Sequence, residues 1–229
     1  MYKALLMQRL LLVFLFSSSF VYGELVTEYF KNGALKSQTH YIDGSRTKTK
    51  EGIKHGLQKV YYMEGGVAYK VNYIKGKRDG EMTWWDKHGN VLKVIRYNNG
   101  KLEGWEITYF PNGKVKAKQF YKNDKREGIY KEFYDNGKLA LEVPYKNGKK
   151  EGVQKEYAYE GYLYSDVLYK NNYKEGKQRW YDKNGKVINE EEFVHDVPVN
   201  VMKQLKKHNA PKQDIRLKGI NFSPNRPQH

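Results

Sequence analysis

Tyr109-Phe-Pro-Asn-Gly-Lys-Val-Lys116 leads on to Tyr121-Lys-Asn-Asp-Lys-Arg-Glu-Gly128, and both phrases then recur as Phe133-Tyr-Asp-Asn-Gly-Lys-Leu139 and Tyr145-Lys-Asn-Gly-Lys-Lys-Glu-Gly152. The step between the copies is 24 residues. Working outward, glycines stand at this interval at Gly56, Gly80, Gly104, Gly128, Gly152 and Gly176. Counted from each of these unit glycines, position 5 is aromatic (Tyr61, Trp85, Tyr109, Phe133, Tyr157, Tyr181) and position 9 is again glycine. Position 11 is aliphatic and position 17 is aromatic, as in Tyr73, Tyr97, Tyr121, Tyr145, Tyr169 and Phe193. Tyr29, Gly33, Leu35, Tyr41 and Gly44 repeat the pattern of Tyr61, Gly65, Val67, Tyr73 and Gly76 at a distance of 32, so a further unit precedes an insertion over 45–55. A fixed period of this size is the signature of a repeat architecture.

Each column has a physical reading. Asn112-Gly113, Asn136-Gly137 and Asn184-Gly185 are tight-turn pairs, in which glycine supplies positive φ without steric cost, and Asn99-Gly100 and Asn147-Gly148 do the same at the other end of the unit. Between them lie short segments rich in Tyr, Val, Trp and Phe, the composition of strands. The sequence therefore predicts an all-β fold: an elongated single-layer antiparallel array of seven β-hairpins over 24–193. A two-residue Asn-Gly turn would place the aromatics of positions 5 and 17 on one structural face, burying Phe133, Tyr121 and Tyr145. Aromatics at other positions, Trp84, Phe110 and Trp180, would then face the other way and be available for recognition.

These segments resemble MORN-type repeats, in the variant found in bacterial proteins labelled YwqK-type antitoxins, over nearly all of 24–193. The resemblance implies a repeat scaffold that serves protein binding, dimerisation or lipid binding, with an antitoxin or immunity role as one form of protein partnership. Gly80-Glu-Met-Thr-Trp-Trp-Asp-Lys-His-Gly89 also resembles, more faintly, choline- and glucan-binding repeats, whose aromatic cages take a cation. The basic charge of this chain opposes that.

Residues 1–23 read as a secretory leader. Lys3 and Arg9 precede the apolar run Leu10–Phe16, three serines follow, and Val21-Tyr22-Gly23 offers small residues for cleavage before Glu24. The apolar run is shorter than the roughly 20 residues of a membrane span. The expected location is the periplasm, cell envelope or exterior. After Phe193 the repeat stops. Val197, Val201 and Leu205 recur at helical spacing with Met202 beside them, predicting a short helical cap within 194–229, followed by a basic flexible tail.

The net charge is +16 and the mean hydropathy −0.89, with 21 tyrosines and no cysteine. Disulfides and thiolate metal sites are thereby excluded. The histidines are scattered without metal-ligand spacing, and no nucleophile elbow or phosphate loop occurs, so no catalytic, metal or cofactor-binding residue is assigned and no enzyme is expected. Asp79, Glu103, Glu127, Glu151 and Glu175 precede the unit glycines and lie beside basic residues, which reads as charge neutralisation at a turn. Lys122, Lys125, Arg126, Lys149 and Lys150, with their equivalents, fall in the turns between units and predict a basic edge. A protein is the expected partner. Anionic lipid or an envelope polyanion is the alternative reading of the edge, and export argues against nucleic acid.

Overall fold

The computed structural model describes residues 23–46 and 52–207; the expected leader, five residues of the insertion and the tail from 208 onward lie outside the described residues. Seventeen strands follow in chain order: β1 (Gly23–Tyr29), β2 (Leu35–Ile42), β3 (Lys54–Tyr61), β4 (Val67–Ile74), β5 (Lys77–Arg78), β6 (Gly80–Trp85), β7 (Val91–Asn98), β8 (Lys101–Tyr109), β9 (Val115–Lys122), β10 (Lys125–Phe133), β11 (Leu139–Lys146), β12 (Lys149–Lys150), β13 (Gly152–Tyr157), β14 (Leu163–Lys170), β15 (Tyr173–Tyr181), β16 (Val187–Val194) and β17 (Val197–Pro198). Each pairs antiparallel with its chain neighbour, while β5 and β6 share β4 and β12 and β13 share β11. The result is one open meander of seven hairpin units. The pairing Tyr41↔Lys54 and the bond from Ile42 N–H to Ile53 O carry the ladder across the insertion. A helix, α1 (Val199–Lys207), packs against β16 and β17 at the C-terminal end. Beside it Phe193, the last aromatic of its column among the described residues, is buried.

The two turns of a unit differ. Between units, both central residues have positive φ, as in Asn99 (49°) and Gly100 (88°) or Asn147 (52°) and Gly148 (84°). This is the type I′ geometry that matches strand twist. Within a unit the loop has three residues. Phe110 N–H donates to Lys114 O at 2.8 Å, Gly113 N–H returns to Phe110 O at 2.9 Å, and of Pro111, Asn112 and Gly113 only the glycine has positive φ. That loop shifts the register by one residue just before the position-5 aromatic: Glu132 faces Leu141, but Phe133 faces Leu139.

This shift overturns the expectation that positions 5 and 17 share a face. The pairs Gly128↔Tyr145, Tyr130↔Val143 and Glu132↔Leu141 put positions 0, 2 and 4 on the same face as position 17. The position-5 aromatics lie on the opposite face, where Tyr157 Oη donates to Glu142 Oε2 at 3.0 Å and Tyr181 Oη to Asp166 Oδ2 at 3.0 Å. A second irregularity sits at the unit glycine. Glu127 pairs with Phe120 and Lys131 with Lys118, so Gly128, Ile129 and Tyr130 together oppose Gln119. The Gln119 amide fills the gap, donating to Glu127 O and Phe120 O.

The centre of the buried core is a row down the middle of the first face: Val71, Ile95, Gln119, Val143 and Val167 at position 15, opposite Gln58, Met82, Gln154 and Gln178 at position 2, with Tyr169, Trp180 and Phe193 buried beside it and Thr83 and Asp166 buried on the second face. Phe133, Tyr121 and Tyr145 are half-buried, not fully covered as the sequence suggested. Truncation of Ile95 to alanine should therefore cost about 2–3 kcal/mol and truncation of Phe133 less, about 1–2 kcal/mol, below the range for a fully buried aromatic. Urea melts of the two variants would check the order; a larger loss at Phe133 would mean that the second face is the covered one.

Candidate interaction surfaces

The inter-unit edge is built from stacked turns. Each type I′ turn exposes the amides of its two central residues, and the preceding unit takes both. Glu103 Oε2 accepts Asn123 N–H at 2.8 Å, Glu127 Oε2 accepts Asn147 N–H at 2.8 Å, and Glu151 Oε2 accepts Asn171 N–H at 2.8 Å. Asp79 does the same for Asn99. The next amide donates to a carbonyl of the preceding unit, as from Gly148 to Arg126 O at 2.8 Å. Where the second turn residue is Asp or Asn, its side chain answers back: Asp124 Oδ1 accepts Leu102 N–H at 2.8 Å, and Asn172 Oδ1 accepts Lys150 N–H at 2.7 Å. The carboxylate row is thus tied to backbone amides. Among the described residues no group of three metal-ligating side chains is placed to hold an ion.

The basic residues divide into two sets. Those one place before the carboxylates turn onto the first face and stack on the position-17 aromatics of their own hairpin. Arg126 lies 5.1 Å from the Tyr145 ring centroid and donates to Tyr145 Oη at 2.9 Å; Lys150 Nζ lies 4.5 Å from the Tyr169 centroid and Lys174 Nζ 4.8 Å from that of Phe193. Lys150 and Lys174 continue inward to Gln154 Oε1 and Gln178 Oε1, each at 3.0 Å, roofing the core row. Burial, reinforced by the neighbouring Lys174 charge, pushes the Lys150 ammonium down from its ordinary pKa. Burial beneath this roof pushes the Tyr169 hydroxyl up to about 12, with the charges of Asp196 and Glu156 adding to it. Lys150 is therefore part of the packing, and Arg126, though exposed, is engaged with the Tyr145 ring and hydroxyl. Lys122, Lys125 and Lys149, together with Lys146, remain exposed at the turns.

The aromatic candidates separate in a different way. Trp84 and Trp180 occupy position 4 and so lie on the first face, with the tyrosines they were expected to oppose. Trp180 is buried, contrary to the exposure expected of it, while Trp84 is half-buried with its ring 6.5 Å from that of Tyr69. Phe110 is half-buried under Lys116 and lines an open groove of about 840 Å³ between the three-residue loops, with Tyr134, Tyr159 and the carboxylates of Glu132 and Glu156.

Among the exposed apolar side chains, one set recurs at position 1 on the second face, a column the sequence reading passed over: Leu57, Trp105, Ile129 and Val153, of which the last three are 43–47% exposed. Leu25 is the equivalent in the first unit. Glu81 and Lys177 interrupt the column, so it has no invariant residue type to reveal it. Its signal was the alternation about the unit glycine, which becomes readable only once the bulge there is known.

If the carboxylate row is a structural tie, Glu127→Ala should lower stability by about 1–2 kcal/mol, since it removes a hydrogen bond to a charged acceptor. Glu127→Gln, which keeps an acceptor for Asn147 N–H, should cost less. Thermal melts would show this; equal losses for both variants would mean that the charge, and not the bond, matters.

Comparison with known proteins gives the following. The model of the MORN repeat variant matches residues 25–43, 54–75, 78–99, 102–123, 126–147 and 174–195, more than half of the chain. The sixth unit, β12 to β14, is unmatched although it makes the same two turns and pairings. No curated protein matches the chain. Among solved structures, the crystal structure of a GtfA/B complex bound to UDP and GlcNAc is similar at 13% identity and a TM-score of 0.24, over 57% of this chain and 26% of that one. This chain spans about a quarter of that protein, and so slight a likeness bears on neither fold nor function.

Proposed function

The chain belongs to the MORN repeat variant family, a family of non-catalytic repeats that commonly bind protein or lipid, and on that premise we propose that it is a binding scaffold of the bacterial cell envelope or exterior that engages another protein. One observation carries the reading. Among the described residues, the second face leaves the apolar row of Trp105, Ile129 and Val153 uncovered, and no second layer packs on it. A repeated apolar row open to solvent marks an interaction surface. The leader over 1–23 supports export. A second reading, attachment to anionic lipid or an envelope polymer, is favoured by the exposed Lys122, Lys125, Lys146 and Lys149 along the adjacent turns.

N-terminal sequencing of the protein from native cells should begin at or near Glu24; a cytosolic chain that keeps Met1 would overturn the exported location. Affinity capture from envelope extract should recover a protein partner that is lost when Trp105, Ile129 and Val153 are all changed to serine, with melting nearly unchanged because these side chains are exposed. Replacing Lys122, Lys125, Lys146 and Lys149 by glutamine should weaken capture and reduce its salt dependence. Capture by the serine variant equal to that by the wild type would remove the second face from consideration.

A further inference from the structure

Cross-strand pairing extends the exposed column into a bounded strip. Trp105 faces Phe120, Ile129 faces Pro144 and Val153 faces Leu168, so six consecutive strand positions from β8 to β14 present one apolar side chain each. The Trp105 and Phe120 rings meet edge to face at 5.4 Å. The strip ends at charged or polar pairs on both sides, Glu81↔Arg96 in the third unit and Lys177↔Glu192 in the seventh. At about 4.8 Å per strand it is about 24 Å long. Its turn-side margin carries the exposed Lys122, Lys125, Lys146 and Lys149, and its other margin carries Lys118, whose ammonium lies 5.7 Å from the Trp105 ring, and the exposed Lys155.

We infer that this strip is the seat of an acidic amphipathic α-helix of a partner protein, lying across the strands of the fourth to sixth units. The inference rests on the protein-binding reading above. The spacing supports it: apolar residues at alternating three and four positions on a helix rise by about 5.2 Å on average, close to the roughly 4.8 Å step between strands, so successive anchors meet successive strands over about four turns. Width supports it too, because the strip is one side chain across and lies between charged rows, which suits the apolar stripe of a helix. Charge decides the partner. The carboxylates beside the strip are engaged, Glu127 and Glu151 with turn amides, Glu142 with Lys131 and Asp166 with Arg179, whereas Lys122, Lys125, Lys146, Lys149 and Lys155 stand exposed, so the helix places carboxylates beside its apolar stripe. The chain's own helix does not qualify: α1 carries Lys203, Lys206 and Lys207 and no acidic residue. A bilayer fits less well. The strip is one side chain wide between charged rows, with Glu142 paired to Lys131 and Asp166 to Arg179 on the same face, so it offers no broad apolar area for a flat surface to cover.

The test uses the full mature chain and a labelled synthetic helix of about 16 residues, with leucine at the a and d positions and glutamate on the flanks, beside a lysine-flanked copy and vesicles rich in phosphatidylglycerol. Anisotropy should show binding of the acidic helix, weakened at least tenfold by Ile129→Lys and by raising salt, and no binding of the lysine copy. Ile129 is exposed, so this single change leaves the fold intact; Lys122→Glu/Lys149→Glu provides an independent pair that should weaken binding in the same way. Equal binding of both helices, indifference to Ile129→Lys, or binding of vesicles alone would overturn the inference. Should the acidic helix fail while capture of the native partner still depends on Trp105, Ile129 and Val153, the helical partner falls and the protein-binding scaffold stands.

Discussion

A type I′ turn leaves two adjacent amides pointing outward at positive φ, and in an array of hairpins those amides recur at every second connection. Here the unit before the turn meets them, at Asn99, Asn123, Asn147 and Asn171 with a carboxylate for the first and a backbone carbonyl for the second, and at Lys75 with the His55 ring for the first. The rest of the sheet depends on this join. An isolated hairpin is marginal in water, so a unit gains stability only from its neighbours. Strand ladders alone would leave the turn edge free to splay. The carboxylate tie fixes the distance between successive turns, and by doing so sets where the cation preceding it points. That cation then lies over the next aromatic, as with Arg126 over Tyr145 and Lys150 over Tyr169.

The same geometry explains how so polar a chain covers a core without a second layer. Four of the nine residues in its central buried row are glutamine. Side-chain amides suit this place because they bond locally: the Gln119 NH2 group donates to the carbonyls of the bulge, and the Gln154 and Gln178 oxygens accept from lysines arriving from the turn. The alkyl stems of those lysines supply apolar cover while their charged heads reach an acceptor. Part of the high positive charge is accordingly structural, and the exposed lysines, those at the turn tips among them, are left to meet a partner.

The period, the number of units and the helix at the end were legible because they follow from residue types at fixed intervals. The I′ turns at Asn99-Gly100 and Asn147-Gly148 were legible for the same reason. The faces were not. Asn112-Gly113 has the composition of a two-residue turn, yet it closes a three-residue loop in which only glycine takes positive φ, and that one residue of register moves Phe133 to the other side of the sheet. With strand alternation of period two, a slip of one exchanges faces for everything beyond it. Trp84 and Trp180 were assigned to the open face by the same error. Arg126 and Lys150 look like Lys125 and Lys149 in sequence, and only the tie through Glu127 and Glu151 separates a stacked cation from an exposed one.

This separation of roles follows from the fold being a single layer. The units cohere through the turn edge and the first face, where the aromatic ladder, the roofing cations and the buried row all lie. The second face is held by pairs that close within the sheet, Lys131 with Glu142 and Arg179 with Asp166. Position 1 contributes to none of these, and it is also where residue type varies from unit to unit, from Leu57 to Glu81, Trp105, Ile129, Val153 and Lys177. A column free of structural duty can change without loss of the fold, so a bounded apolar run within it, ending in charged or polar pairs on both sides, is the part of this surface that stability does not explain.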